Sequence, residues 1–223
     1  MMKEFAQKYL DVLEGPLKGI NLTRILDFDD FYNKQIIDSI LPYENSKIFQ
    51  ESISLSDLII DVGFGGGFPL VPLAELSPSK NFVGIESKNK KAEAVKVICN
   101  ELGIENVRPM HGRIETFEID LTATIIFKAV GKIPDCLKLL NVTKKSNVFF
   151  YKGPGLYEQE DLSNLGSHIK KIEEQTFELP DGSQRILIGY SISPVPRGTQ
   201  KKKSSQKNLV RISALKTKLF PHI

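Results

Sequence analysis

Between residues 57 and 152 short β-rich runs alternate with helical stretches, and this rhythm restricts the fold more than any other feature. The runs are "LIID" (58–61), "NFVGIE" (81–86), "NVRPMH" (106–111), "TIIFKA" (124–129) and "NVFFYK" (147–152). Helical segments are predicted between them over about 69–76, 88–101 and 132–141; in the second, Ala92, Val95 and Ile98 recur at helical spacing. Apolar strands joined by helical crossovers assemble into a parallel sheet covered on both faces. The pattern then changes. "HIKKIEEQTFEL" and "RILIGYSIS" flank Pro180-Asp181-Gly182-Ser183, a turn signal that predicts an antiparallel hairpin closing the sheet edge. Ahead of the alternation, two helical stripes (Phe5, Tyr9, Val12, Leu13, then Phe31, Ile36, Ile37, Ile40, Leu41) are punctuated by Gly15-Pro16 and Pro42. The expected organisation is a helical extension (1–55), an α/β domain (56–193) and a C-terminal tail (194–223).

The first strand runs directly into glycines: "LIIDVGFGGGFP", residues 58–69. A glycine-rich turn between strand and helix lets the backbone approach a ligand closely, next to a helix N-terminus. The dinucleotide fingerprint requires Gly or Ala three residues after Gly65, where this chain has Phe68. The spacing present is Asp61-x-Gly63-x-Gly65-x-Gly67, and Glu86 ends the next strand. An acid there can accept hydrogen bonds from both ribose hydroxyls of a nucleoside. Together these features predict a nucleoside-type cofactor. The acid-x-Gly-x-Gly-x-Gly pattern resembles motif I of S-adenosylmethionine-dependent methyltransferases.

Charge separates the two ends of the chain. After Asp181 there are nine bases and no acid, whereas residues 1–181 hold 21 bases against 27 acids. A basic end on an acidic body points to a polyanion such as nucleic acid, or else to a solvated tail. "SPVPRGTQKKKSSQK" reads as a linker, and "NLVRISALKTKLF" as a short basic amphipathic helix. Cys99 and Cys136 are the only cysteines, so neither a disulfide framework nor a zinc site is expected. No apolar run approaches the roughly 18–20 residues of a membrane span. The first residues have acids and no apolar core, so a signal peptide is not expected; with two cysteines and no disulfide framework a reducing cytoplasm is the expected compartment, and a monomer is the default expectation.

Beyond motif I, the chain resembles the RsmG (GidB) methyltransferases, which modify guanine N7 in 16S ribosomal RNA. The resemblance lies in "INLTRI" (20–25), "IIDSI" (36–40), "DVGFGGGFPLVPLA" (61–74), "ELGIENV" (101–107), "HGRIE" (111–115) and "YKGP" (151–154). It implies a Rossmann-like class I methyltransferase fold, with S-adenosyl-L-methionine as cofactor and 16S ribosomal RNA or an assembling small subunit as partner. Asp61, Gly63, Gly65, Gly67 and Phe68 fall on the cofactor loop. Glu86 stands at the ribose position, and Ile114 and Glu115 at the pair whose backbone borders the adenine. Lys152 matches a family lysine at the tip of the fifth strand, facing the cleft and RNA, while Arg113 is placed to prop the adenine loop. Three positions depart from the family: Phe64 in place of Thr or Ser, Gln35 in place of His, and Lys128 in place of Arg. Lys128 is expected to take the arginine's place, at the cofactor carboxylate or an RNA phosphate.

Guanine N7 carries an exposed lone pair and needs no prior deprotonation. Such a site needs in-line positioning rather than a strong base, so no catalytic His or Cys is expected. His111 and His168 read as structural or surface residues. Lys128 and Lys152 are the candidate catalytic side chains. The three departures also admit a non-catalytic RNA- or ribosome-binding protein built on a decayed methyltransferase fold.

Overall fold

The computed structural model describes residues 1–194 and 209–220. The helical start comprises α1 (Met2–Glu14), α2 (Phe28–Phe31), a π-helical turn (Tyr32–Ile37), α3 (Asp38–Asn45) and α4 (Lys47–Leu55). Helix α1 buries Phe5, Ala6, Tyr9, Leu10, Val12 and Leu13 along one stripe. The π turn follows from the five-residue step between Phe31 and Ile36, both 0% exposed. An α-helix would splay residues five apart by roughly 140°, whereas a wider turn brings them onto one face. Ser46 caps α4 by accepting the Phe49 N–H at 3.1 Å.

Alternation begins with β1 (Leu58–Val62), buried at all five positions as a strand covered on both faces must be. It continues through α5 (Leu70–Leu76), β2 (Phe82–Glu86), α6 (Asn89–Leu102) and β3 (Val107–His111). After a 3₁₀ turn (Ile114–Thr116) come β4 (Phe117–Ile119), β5 (Ala123–Lys128), α7 (Ile133–Leu139), β6 (Asn141–Val142), β7 (Ser146–Lys152) and α8 (Leu156–Gln159). The hairpin β8 (Ile169–Glu178) and β9 (Gln184–Ile192) follows, then β10 (Val210–Arg211) and α9 (Ile212–Leu219). Seven strands form one sheet in the order β3-β2-β1-β5-β7-β9-β8. Strands β3, β2, β1, β5 and β7 are parallel. Strand β9 runs antiparallel to both its neighbours, as the hairpin reading requires.

The pleat sorts the core into two layers. Ile59, Phe82, Ile126, Phe149 and Tyr151 pack with α1, α4, α5 and α6. Ile60, Val62, Ile85, Phe127 and Phe150 pack on the other side with α7 and α9. Strand order reverses between β1 and β5, so the crevice at their carboxyl ends is the place where open α/β sheets bind ligands.

A second sheet, β10-β4-β6, was not foreseen from the sequence, because its strands are only two or three residues long. It carries the C-terminal segment back onto the body. Val210 pairs with Phe117 and Arg211 with Glu118. Ile212 and Phe220 are buried, and Asp120 accepts the Ser213 N–H at 2.9 Å and its hydroxyl at 2.6 Å. Arg108 donates to the Leu219 carbonyl at 3.1 Å and lies over the Phe220 ring. The tail's basic helix is therefore docked. Arg197, Lys201, Lys202, Lys203 and Lys207 lie outside the described residues.

Candidate cofactor and substrate site

Gly63, Gly65 and Gly67 have φ of 73°, 55° and 93°, so the loop after β1 is built from left-handed backbone that glycine adopts most readily. At Gly67 the requirement is also steric, because a Cβ there would collide with the Tyr9 hydroxyl. That hydroxyl donates to the Gly66 carbonyl at 2.6 Å, and the Tyr9 ring stacks on Phe68 with centroids 5.0 Å apart. Helix α1 thus fixes the glycine loop from behind. Phe68 also meets Phe31 edge-on at 5.7 Å, so its ring belongs to this aromatic support. Phe64 turns inward too, 2% exposed; a Cβ on Gly84 would lie 2.5 Å from its ring. The Phe64 departure is accommodated by Gly84 in the core rather than in the crevice.

Strand alternation then gathers the charged groups. Asp61, Glu86, Lys128 and Tyr151 lie two residues beyond Ile59, Gly84, Ile126 and Phe149, on the face covered by the N-terminal helices. Glu86 is buried, accepting the Gly65 N–H at 3.1 Å with one oxygen and the Lys88 N–H at 2.9 Å with the other. Asp61 is 1% exposed, and neither carboxylate oxygen has a hydrogen-bond partner of ordinary geometry. Burial pushes its pKa up to about 7; the Leu70 N–H and Lys128 pull it down, and the Glu86 charge adds to the rise.

Lys128 closes a charge network whose other members the sequence did not reveal. Its ammonium lies 2.9 Å from Asp38, which is 4% exposed, and the Arg185 Nε donates to the second Asp38 oxygen at 2.9 Å. Charge counting alone groups Arg185 with the bases that follow Asp181. Because Ile186 pairs with Lys152, Arg185 instead sits beside the carboxyl end of β7. The π turn precedes Asp38, and Tyr151 donates to the Ser39 carbonyl at 2.9 Å. Burial, then the Asp38 and Asp61 charges, holds the Tyr151 hydroxyl well above its usual pKa, so it stays protonated.

The remaining predicted residues are dispersed. Ile114 is buried in the opposite core layer, while the Glu115 carbonyl accepts from Asn141 at 2.9 Å. Arg113 is exposed, 3.6 Å from the Glu115 carboxylate, and His111 is exposed with Nε2 3.2 Å from the Ser87 carbonyl. Gln35 is 3.4 Å from the Thr23 hydroxyl. Lys152 follows Tyr151 by one residue, so the pleat points it to the face away from Lys128; it does not join the Asp61 cluster. Its ammonium bonds to Glu160 and to the Gly131 carbonyl, each at 2.6 Å. Burial lifts the Cys99 and Cys136 thiols to about 12 and about 11, leaving no thiolate at neutral pH. Among the described residues no group of three or more His, Cys, Asp or Glu could hold a metal ion, and no helix is long and apolar enough to cross a membrane.

A family model described as "GidB: rRNA small subunit methyltransferase G" matches residues 2–187. The chain belongs to the GidB family. Ribosomal RNA small subunit methyltransferase G of Brachyspira hyodysenteriae is 34% identical over 191 residues, covering 83% of this chain and 89% of the relative. The Lactococcus lactis subsp. lactis protein of the same name is 31% identical over 198 residues, covering 83% and 80%. Among solved structures, a SAM dependent methyltransferase from Aquifex aeolicus has a TM-score of 0.50 at 16% identity, covering 70% of this chain and 92% of that one. MtNAS in complex with MTA and tNA has 0.54 at 12% identity, covering 87% and 71%. These likenesses establish the shared fold. The GidB match stops at residue 187, so the docked segment 209–220 lies outside it.

Proposed function

We propose that this chain is an S-adenosyl-L-methionine-dependent methyltransferase acting on guanine N7 in 16S ribosomal RNA. The observation that carries the reading is Asp61: a buried carboxylate neither of whose oxygens has a hydrogen bond of ordinary geometry, at the root of a glycine loop, at the switch point of the sheet. A buried acid left in this state costs stability unless a ligand supplies donors or positive charge. S-adenosyl-L-methionine fits, since the ammonium of its amino acid end is a cationic donor, its ribose supplies hydroxyls for Glu86, and glycine backbone at Gly63, Gly65 and Gly67 admits its close approach. When bound, it supplies a methyl group activated by an adjacent sulfonium.

The protein's own task is orientation. Lys128 and Arg185, both on Asp38, bring two cations to the crevice, and the carboxyl groups of Asp38, Glu86 and Asp61 are set against them. A cluster with no excess of cations does not oppose the positive charge that N7 methylation leaves on guanine. The protonated Tyr151 holds the Ser39 backbone and offers no base, in keeping with a nucleophile that loses no proton. The intact glycine loop and Glu86 disfavour the non-catalytic alternative. The purified protein should transfer tritiated methyl groups from labelled cofactor to 16S RNA or to small subunits from cells lacking it, and S-adenosylhomocysteine should inhibit. Cofactor binding without transfer to either substrate would favour the non-catalytic alternative.

A further inference from the structure

Lys152 matches a lysine expected to face RNA, yet its surroundings give it a different task. The Lys152 side chain is 14% exposed, and its ammonium lies 2.6 Å from Glu160, whose side chain is 7% exposed. The same ammonium donates to the Gly131 carbonyl at 2.6 Å, and the second Glu160 oxygen accepts the Ile133 N–H at 2.5 Å. Two of these interactions end on the turn between β5 and α7, at Gly131 and Ile133, and the third joins the two side chains that make them. That turn begins at Ala129, the described non-glycine residue with positive φ, at 56°. Left-handed backbone at a residue with a Cβ is held against its preference. The next residue, Val130, lies over Gly63: a Cβ on Gly63 would be 2.8 Å from its methyl. Lys128 immediately precedes the turn.

We propose that Lys152 and Glu160 are a positioning pair: they clamp the strained turn 129–133, and thereby set Val130 against the glycine loop and Lys128 against Asp38. This deepens the methyltransferase reading and rests on it. A displacement of about 1 Å in positioning groups can cost on the order of a hundredfold in rate. Two features make the pair suited to the task. Glu160 comes from the loop after α8, so it anchors the turn to a separate element. Opposite charges that are both nearly buried are also held strongly, since removing either strands the other.

The two roles for Lys152 give opposite results. Lys152→Met and Glu160→Gln are measured for methyl transfer at saturating cofactor, for the salt dependence of 16S RNA binding, and for amide hydrogen exchange over residues 129–133. Each substitution should slow transfer at least tenfold and speed exchange in the turn. The RNA salt slope should stay unchanged, and the double variant should be no slower than the worse single one. Ala129→Gly, which relieves the left-handed residue, should restore part of the rate lost in Glu160→Gln when both are assayed well below their melting transitions, where a role confined to general stability leaves the rate unchanged. If Lys152 faces RNA instead, Lys152→Met will lower the logarithmic salt slope by about 0.7–0.9. Glu160→Gln will then leave or strengthen RNA binding, and either result overturns the clamp. Should the parent methylate no ribosomal RNA, the exchange data still test the clamp: unchanged exchange in both single variants refutes it, and loss of activity alone refutes only the substrate.

Discussion

Replacing Asp61 with Asn should stabilise the cofactor-free protein at alkaline pH while abolishing cofactor binding. Burial lifts the carboxyl from 3.8 to about 7. At about 1.4 kcal/mol per unit, ionised Asp61 costs the folded state about 4 kcal/mol. The folded pKa lies above the unfolded one, so the folded protein binds more protons between pH 4 and 7. Stability from this group therefore falls as pH rises through that window; the cost is complete above pH 7 and absent below pH 4. About 2.5 kcal/mol of it develops between pH 5 and pH 8. Asparagine carries no such dependence, although its unpartnered amide imposes a constant cost of roughly 1–3 kcal/mol. The quantity to read is thus the change in the gap between variant and parent. At about 2–4 °C per kcal/mol for a chain of this size, thermal melts should show the gap moving by about 5–10 °C in the variant's favour from pH 5 to pH 8. Calorimetry at pH 8 should show heat for S-adenosyl-L-methionine with the parent and none with Asp61→Asn. A pH-independent gap would refute the buried, unpaired carboxylate, and normal binding by the variant would refute its contact with the cofactor.

Gly65→Asp should fold, since a Cβ there meets nothing closer than the Gly63 carbonyl and the Lys91 ammonium at 3.9 Å and Asp tolerates φ near 55°; calorimetry should nonetheless detect no cofactor binding, because the side chain would stand where the glycine backbone must approach the cofactor. Lys128→Ala should slow methyl transfer tenfold or more, about 1.4 kcal/mol per decade, with circular dichroism unchanged because Arg185 still pairs with Asp38. Lys128→Arg should retain activity, and an alanine variant at the parent rate would remove Lys128 from the mechanism. Deleting residues 209–223 exposes the surfaces covered by Ile212 and Phe220. At about 1.5–3 kcal/mol for each of these two side chains and about 2–4 °C per kcal/mol, it should lower the melting temperature by on the order of 10 °C. An unchanged melt would mean the docking contributes nothing.

The sheet was legible because each strand is a short apolar run bounded by turn residues, and the glycine loop because its spacing is local. Lys128 and Glu86 were also legible, as charged ends of such runs. What was not legible depends on alignment between distant segments. Asp38 looks like an ordinary helical acid until β5 and β9 bring Lys128 and Arg185 to it. Arg185 looked like part of a basic tail because charge counting ignores strand pairing. Tyr9 reads as core from its stripe, and only the fold shows its hydroxyl on Gly66. The direction of Lys152 was in principle available: it stands one residue after Tyr151, and the period of two in a strand sends neighbours to opposite faces. The small sheet escaped because pairs of two or three residues carry no periodic signal.

The central claim is tested most directly by mapping N7-methylguanine in 16S ribosomal RNA from otherwise identical cells with and without this protein. Borohydride reduction followed by aniline cleaves the RNA at such a base, and primer extension reads the break. A cleavage site should be present with the parent protein, absent without it, and not restored by Gly65→Asp. An identical cleavage pattern in the presence and absence of the protein would contradict it.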